Sequence, residues 1–368
     1  MINKSVLKND ERAIFSLRSI YKSYGYLPFK MRKFEEYDLY AGNKEFLVSD
    51  RVITFNDTDG RLLALKPDVT LSIVKNMAEE SGVKEKVYYN ENVYRVSGST
   101  GQYKEIMQMG LECIGDIDVT DRYEAVLLAL KSLSAISDGF VLDISHMGIV
   151  FSILSDASAS DTFKKEALEL ISARNEHELA LLAERYSLSS EARDSVVALA
   201  TMYGSMDTVL SRLKPICKSE GAKSGYDELA AISSLLSKTE FAEKIRFDFS
   251  IVSNMKYYNG IVFSGFLSGI YEAALVGGEY GNLLRRLGKR GDAIGFAMYL
   301  DLLSELDTED DGYDGDVLLL YSDDTPTEAL ISKREELIAE GYSVAAHKAV
   351  PEKLRYKKTI DMKEGLVC

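Results

Sequence analysis

Polar and apolar residues alternate most regularly in the segment Tyr103–Ile114. The order along its centre is Met107, Gln108, Met109, Gly110, Leu111, Glu112. A period of two is that of a β-strand, so Gln108 and Glu112 are expected on one face and the apolar residues on the other. With a first extended run, Val87–Val96, this strand predicts an antiparallel hairpin. An amide and a carboxylate on one face suit a small, cationic, polar ligand. The alternative interpretation is that this is the ordinary polar face of a half-buried hairpin.

Longer hydrophobic patterns divide the chain into sheet-forming and helical regions. The other predicted elements of the first 253 residues are helix Asn9–Tyr26, strands Phe46–Phe55 and Arg61–Leu65, helix Thr70–Glu80, helix Arg122–Leu133, and strands Phe140–Ser145 and Ile245–Ser253. Residues 150–244 are rich in helix formers, which predicts a helical insertion between the last two strands. The acidic run Ser304–Asp316 indicates a boundary. Beyond it, Val317–Ser322, Glu328–Gly341 and Tyr342–Lys348 predict a β-α-β unit.

Composition and charge narrow the class of protein. The chain has 368 residues, 46% of them hydrophobic, and a formal net charge of −14. Its longest apolar runs are shorter than the roughly 20 residues of a membrane span, and the charged N-terminus lacks the apolar core of a signal peptide, so we expect a cytoplasmic protein. The spacing of Cys113, Cys217 and Cys368 indicates neither a zinc site nor a disulfide framework. The acidic balance disfavours tRNA as a partner, because nucleic-acid binders usually carry basic faces.

Two short segments near the C-terminal half carry candidate chemistry. The glycine-rich segment Gly277–Gly281 lacks the lysine of a phosphate-binding loop, so we interpret it as a tight turn between strands. Tyr257 and Tyr258 are adjacent in a predicted strand and are therefore expected to point to opposite faces. One of the two is expected to reach a pocket while the other packs.

Five short blocks in a fixed order resemble the histidyl branch of the class II aminoacyl-tRNA synthetases. They are Lys66–Thr70 (KPDVT), Tyr88–Gly115, Met255–Phe263 (MKYYNGIVF), Gly277–Leu284 (GGEYGNLL) and Gly295–Leu303 (GFAMYLDLL). The second resembles motif 2 of that class, with Arg95 before a loop and Gln108-x-Gly110-x-Glu112 after it. The last occupies the place of motif 3.

The resemblance implies the fold class and its division along the chain. It implies an α+β protein with a class II synthetase-like antiparallel sheet flanked by helices, a helical insertion and a small C-terminal β-α-β unit. The expected segments are a first part of the core at 1–149, the insertion at 150–244, a second part of the core at 245–310, and the C-terminal unit at 316–368. That unit resembles the beginning of a synthetase anticodon-binding domain, and its role stays open.

The resemblance also implies an amino-acid site. The residues at the positions of the histidine-binding elements are Asp68, Thr70, Arg95, Gln108, Glu112, Tyr257, Tyr258 and Tyr280. Glu112 is expected to accept a hydrogen bond from the ligand's imidazole N–H, and Tyr258 to orient the ring. Asp68, Thr70 and Gln108 are expected to hold the α-amino group and the polar groups beside it.

The basic residues that the synthetases place around ATP are missing from the corresponding positions. Ser253 stands where an arginine opens the histidine element, and Leu302 where an arginine closes motif 3. Glu279 and Gln102 replace basic residues in two further elements. These side chains cannot replace guanidinium groups that grip phosphate. A site with this pattern is expected to bind an amino acid without activating it, so we expect no catalytic residue, no metal and no cofactor.

This combination resembles the regulatory subunits of ATP phosphoribosyltransferase, a synthetase-like family of histidine biosynthesis. The resemblance implies a non-catalytic chain that joins a short-form ATP phosphoribosyltransferase catalytic subunit, is required for the first step of the pathway and transmits feedback inhibition by histidine. It also implies a dimer through the motif 1 helix, Asn9–Tyr26, for which a surface helix is the alternative. A divergent histidyl-tRNA synthetase and a tRNA-independent amino-acid ligase are the rival functions. Feedback histidine could also bind at a subunit interface instead of this pocket.

Overall fold

The chain divides into a larger unit, Met1–Leu306, and a smaller one, Asp307–Cys368. The computed structural model describes residues 7–44, 47, 51–77, 83–96, 101–252, 257–306 and 312–363. The helices of the larger unit are α1 (Asn9–Ser23), α2 (Tyr37–Ala41), α3 (Thr70–Asn76), α4 (Val119–Ser134), α5 (Met147–Ala157), α6 (Asp161–Ser172), α7 (Glu176–Arg185), α8 (Ser190–Ala200), α9 (Met206–Leu213), α10 (Glu220–Leu236) and α11 (Gly281–Arg286). In the described part of the chain no helix combines the length and the apolar character needed to span a bilayer.

The strands of the larger unit form one large sheet and one small sheet. They are β1 (Leu27–Pro28), β2 (Phe34–Glu36), β3 (Thr54–Asn56), β4 (Leu62–Leu65), β5 (Glu85–Val96), β6 (Tyr103–Gly115), β7 (Phe140–His146), β8 (Tyr203–Gly204), β9 (Ile245–Asp248), β10 (Ile261–Leu267), β11 (Leu275–Glu279) and β12 (Asp292–Tyr299). Over the described residues, the large sheet has the order β1-β5-β6-β12-β11-β10-β7-β9-β8, and the small sheet the order β2-β4-β3. The five pairs of adjacent strands from β5 to β7 are antiparallel, whereas β1 pairs with β5 and β9 pairs with β7 in parallel.

The large sheet separates two hydrophobic clusters. The larger cluster lies under α1, α4 and the helices α5 to α10, and the smaller one involves α3 and α11 on the other face. The predicted alternation of β6 is confirmed, because Met109 and Leu111 belong to the larger cluster whereas Ile114 belongs to the smaller. Gln108 and Glu112 are also buried on the face of the smaller cluster. The polar face of the hairpin therefore lies inside the protein, and it is not an ordinary solvated surface.

Capping residues explain both limits of helix α1 and the start of helix α4. At the start of α1 the Glu11 carboxylate accepts from the Lys8 backbone N–H at 3.0 Å, and the chain leaves the helix through Gly25 at φ +82°, the left-handed conformation that favours glycine. Helix α4 begins earlier than the hydrophobic pattern predicts. Asp118 accepts from the Thr120 backbone N–H at 2.7 Å, which fixes the helix start at this cap.

Some predicted elements have different limits in the structure. Strand β9 ends at Asp248, well before Ser253, because the Asp248 carboxylate accepts from the Ser250 backbone N–H and turns the chain. Of the strand predicted over Phe46–Phe55, residues 46 and 48–50 lie outside the described residues, and within the described part β3 covers Thr54 and Phe55 and continues to Asn56. The interpretation of Gly277–Gly281 as a turn between strands is wrong. Gly277 and Gly278 lie within β11, and the chain passes directly from this strand into α11.

Residues 150–244 are predominantly helical in the structure, with the two-residue strand β8 at one edge of the main sheet. Their buried side chains, such as Leu199 and Leu229, belong to the same hydrophobic cluster as the sheet. The exact division of the chain into core and insertion stays a prediction.

The smaller unit contains strand β13 (Gly315–Leu320), helix α12 (Thr327–Ala339), strand β14 (Val344–His347) and strand β15 (Tyr356–Asp361). Strand β13 pairs in parallel with β14 and also with β15. The first three elements match the predicted β-α-β unit. Strand β15 was not predicted, because its sequence (YKKTID) has largely exposed polar side chains and little apolar alternation.

Candidate functional site

One cavity is lined by all eight residues that the sequence predicts for the amino-acid site. Its volume is about 370 Å³, within the range of roughly 300–1,000 Å³ that small-molecule pockets occupy. The eight predicted residues that line it are Asp68, Thr70, Arg95, Gln108, Glu112, Tyr257, Tyr258 and Tyr280. They come from separate segments of the chain, and the sheet brings those segments together on the face of the smaller hydrophobic cluster.

Strands β6 and β12 form the floor of the cavity. Their register pairs Glu112 with Gly295, Gly110 with Ala297, and Gln108 with Tyr299. A Cβ atom at Gly295 would lie 1.7 Å from Glu112 Oε2, so any side chain there would displace the carboxylate. A Cβ atom at Gly110 would lie 2.1 Å from the Phe296 carbonyl oxygen. Glycine at both positions therefore leaves the Glu112 carboxylate and the two backbones in close contact.

Glu112 is a buried carboxyl that accepts from two hydroxyl groups. Thr70 Oγ1 donates to Glu112 Oε1 at 2.8 Å, and the Tyr280 hydroxyl donates to Oε2 at 2.6 Å. Burial raises the pKa of Glu112 to about 8, although the two hydroxyls act in the opposite direction. A cationic or hydrogen-bond-donating group in the cavity would stabilise the ionised carboxylate, because it would supply the interaction that burial removes.

Asp68 and Arg95 form a second polar group in the cavity. Asp68 Oδ1 accepts from the Leu71 backbone N–H at 2.8 Å, at the start of α3, and Asp68 Oδ2 lies 3.8 Å from Arg95 Nη2. Arg95 Nε also donates to the Pro67 carbonyl oxygen at 2.7 Å. Burial raises the pKa of Asp68, and the Arg95 guanidinium partly offsets this rise. The Thr70 hydroxyl donates to Glu112, and its expected contact with an α-amino group stays a prediction.

Aromatic rings form one wall of the cavity. The Tyr257 and Tyr258 rings are 4.6 Å apart at 62°, and the Tyr257 and Tyr280 rings are 5.8 Å apart. The expectation that only one of the adjacent tyrosines reaches the pocket is wrong, because both precede β10, outside any strand, and both line the cavity. Gly278 makes room for this arrangement, since a Cβ atom there would lie 2.8 Å from a Tyr258 ring carbon.

Sequence reasoning missed two further tyrosines of the cavity, Tyr89 and Tyr299. Tyr89 is paired with Gly110 across the hairpin, so the predicted register of β5 and β6 could have indicated it. Tyr299 is paired with Gln108 across β6 and β12. Its position depends on a contact between strands far apart in the sequence, which no local pattern indicates.

Two of the four positions where basic residues are missing have other structural uses. Leu302 packs against the larger hydrophobic cluster. The Glu279 carboxylate accepts from Arg122 through both oxygens, at 2.8 Å each. Gln102 is an exposed residue, and Ser253 lies outside the described residues. Among the described residues that line the cavity, Arg95 is the one basic side chain.

The chemistry of the cavity is that of a binding site for a small polar molecule. Two buried carboxyls and several tyrosine rings favour cationic and hydrogen-bond-donating groups, and one guanidinium can bind an anionic group. Within the described residues, no group of three or more His, Cys, Asp or Glu side chains is placed to hold a metal ion.

The stability of the protein is expected to fall as Glu112 ionises. Its folded pKa of about 8 is above the ordinary value of 4.5, so the folded chain retains a proton that the unfolded chain releases in this interval. This contribution is fully present below about pH 4.5 and is lost as pH rises through about 8, at about 1.4 kcal/mol per pKa unit. Urea unfolding between about pH 5 and about pH 8 should show a smaller loss for Glu112→Gln than for the unaltered chain. Equal losses in the two proteins would contradict the assignment.

The large, mainly antiparallel sheet flanked by helices is that of the class II aminoacyl-tRNA synthetase fold. The family model for histidyl-tRNA synthetase matches residues 4–303, a range that includes every residue of the cavity. The chain belongs to this family.

Individual relatives and solved structures are similar to this chain over most of its length. An ATP phosphoribosyltransferase regulatory subunit of Oceanobacillus iheyensis is 28% identical over 327 residues, covering 87% of this chain and 80% of the relative. The structure of an ATP phosphoribosyltransferase regulatory subunit/histidyl-tRNA synthetase of Bacillus halodurans superposes with a TM-score of 0.78 at 21% identity, covering 96% of this chain and 93% of the other. The ATP phosphoribosyl transferase (HisG:HisZ) complex of Thermotoga maritima contains a chain with a TM-score of 0.62 at 21% identity, covering 79% and 97%. Both structures share the fold of this chain.

Proposed function

We propose that this chain is a non-catalytic regulatory subunit of ATP phosphoribosyltransferase. It would assemble with a short-form catalytic subunit in the cytoplasm, be required for the first step of histidine biosynthesis and transmit feedback inhibition by histidine. The names of its relatives and the complex of Thermotoga maritima support this assignment. The predicted dimer through the motif 1 helix, now α1, is part of the same proposal, and tRNA is not among the proposed partners.

The composition of the cavity is the observation that carries the proposal. The groups suited to an amino acid are brought together around one space, whereas the basic positions of the synthetase site are occupied by Leu302, Glu279 and Gln102. Activation of an amino acid requires fixed positive charge at the transferring phosphate, because charge develops there in the transition state. A cavity without those residues favours binding over activation.

Histidine fits the polarity of the two ends of this cavity. The imidazole N–H would donate to the Glu112 carboxylate, and Tyr258 would pack beside the ring. The α-amino group would lie near Asp68 and Gln108, and the Arg95 guanidinium is placed to bind the carboxylate. Histidine bound here would change the activity of the catalytic subunit only if it bound two states of the assembly with unequal affinity.

The isolated chain is expected to bind L-histidine and to show no histidine-dependent exchange between ATP and pyrophosphate. Isothermal titration calorimetry measures the binding, and incorporation of labelled pyrophosphate into ATP measures the exchange. An authentic histidyl-tRNA synthetase assayed in parallel is the positive control. Robust exchange by this chain would overturn the regulatory assignment and favour a divergent synthetase.

A further inference from the structure

The two ends of the cavity floor differ in how far they are open to solvent. At one end, Glu112 is 2% exposed and is enclosed by Thr70 and Tyr280. At the other end, Gln108 is buried but its cross-strand partner Tyr299 is only half-buried. The cavity therefore has a closed end at Glu112 and an open end at Tyr299.

The register of β6 and β12 fixes the distance between these ends. Tyr299 lies four residues along β12 from Gly295, the partner of Glu112. At about 3.4 Å per residue this separates the two backbone positions by about 14 Å. The pair between them, Gly110 and Ala297, adds no more than a methyl group to the floor. The Tyr89 ring lies over Gly110, since a Cβ atom there would lie 2.6 Å from the Tyr89 hydroxyl oxygen. The length of a bound molecule along the floor is therefore limited at the far end by Tyr299.

The backbone around Tyr299 is held on both sides. The Tyr299 N–H donates to the Ala274 carbonyl oxygen at 2.8 Å, and the Leu300 N–H donates to the Met107 carbonyl oxygen at 2.9 Å. These two bonds fix the backbone position from which the Tyr299 side chain enters the cavity. Tyr299 therefore lines the open end from a well-anchored strand.

We infer that Tyr299 is a specificity-determining residue, whose ring restricts the cavity to an amino acid with a free carboxyl group and excludes molecules extended at that group. The inference rests on the proposed function, because histidine with its imidazole at Glu112 directs its carboxyl group towards Tyr299. Tyr299 excludes larger molecules by its size, so the aromatic ring is required and the hydroxyl group is not.

Two esters of histidine separate this steric effect from the loss of carboxylate charge. L-Histidine methyl ester and L-histidine benzyl ester both lack the carboxylate and differ only in the size of the added group. By calorimetry, the unaltered chain should bind the methyl ester at least about tenfold more tightly than the benzyl ester, a ratio typical of a pocket that rejects a larger group. Tyr299→Ala should bring the ratio close to one while L-histidine still binds.

Three further variants make the test specific. Tyr299→Phe keeps the ring and should retain the full ratio, and so should Tyr271→Ala, which removes a tyrosine that is 99% exposed. Tyr299→Leu should give an intermediate ratio, and it replaces the alanine variant if that protein does not fold.

The possible results distinguish this inference from the proposed function. If the unaltered chain binds L-histidine but the ratio is the same in Tyr299→Ala or Tyr299→Leu, Tyr299 does not set the size limit and the inference fails alone. Loss of the ratio in Tyr299→Phe would also overturn it, because the ring would not be sufficient. If the unaltered chain binds no L-histidine, the proposed ligand and the inference fail together.

Discussion

Replacing Glu112 with alanine is expected to weaken the binding of L-histidine at least about tenfold, because a hydrogen bond to a charged group contributes about 1.5–3 kcal/mol. Glu112 is the buried carboxylate at the closed end of the cavity. The substitution also removes the acceptor to which Thr70 and Tyr280 both donate. Calorimetric titration at constant pH measures the change in affinity.

Glu105→Ala is the matched control for this experiment. Glu105 lies on the same strand, β6, but its side chain is exposed and interacts with Asn92 and Tyr94 outside the cavity. Its removal should leave histidine affinity unchanged. Thermal unfolding of both variants shows whether the chain still folds. An affinity in folded Glu112→Ala equal to that of the unaltered chain would mean that the cavity does not bind histidine through this carboxylate.

Local periodicity predicted the part of the fold that places Glu112. A period of two over β6 is a property of a single strand, so the sequence alone indicates that Gln108 and Glu112 share a face. The short motifs at Lys66–Thr70 and Gly277–Leu284 added the segments that close the cavity. Each motif is a short local segment, and periodicity does not indicate which segments meet in space. The order of the motifs, which is that of the family, indicated that these distant segments meet around one site.

The features that sequence reasoning missed depend on contacts between distant strands. Tyr299 enters the cavity because β12 pairs with β6 in one register. Tyr257 and Tyr258 lie together because the chain is irregular before β10, where a rule for strand faces does not apply. The pairing of Glu279 with Arg122 joins residues 157 positions apart. Such contacts follow from the assembled sheet and have no signal in a local window.

Activity of a short-form catalytic subunit is expected to appear only when this chain is present. In the proposed function this chain has no catalytic role of its own. Its effect on activity must then come from an assembly that favours the active state of the catalytic subunit. Histidine should then reduce the activity of the assembly by binding its active and inactive states unequally. With the Glu112→Ala chain, the assembly should form and be active, but inhibition should require at least about tenfold more histidine, for the energetic reason given above.

Co-expression with the catalytic subunit, followed by size-exclusion chromatography and an assay of phosphoribosyl-ATP formation, tests the regulatory assignment most directly. We predict that the two chains co-elute, that activity is found in the mixture and not in either chain alone, and that added L-histidine lowers it. A catalytic subunit that is fully active alone and never co-elutes with this chain would contradict the assignment.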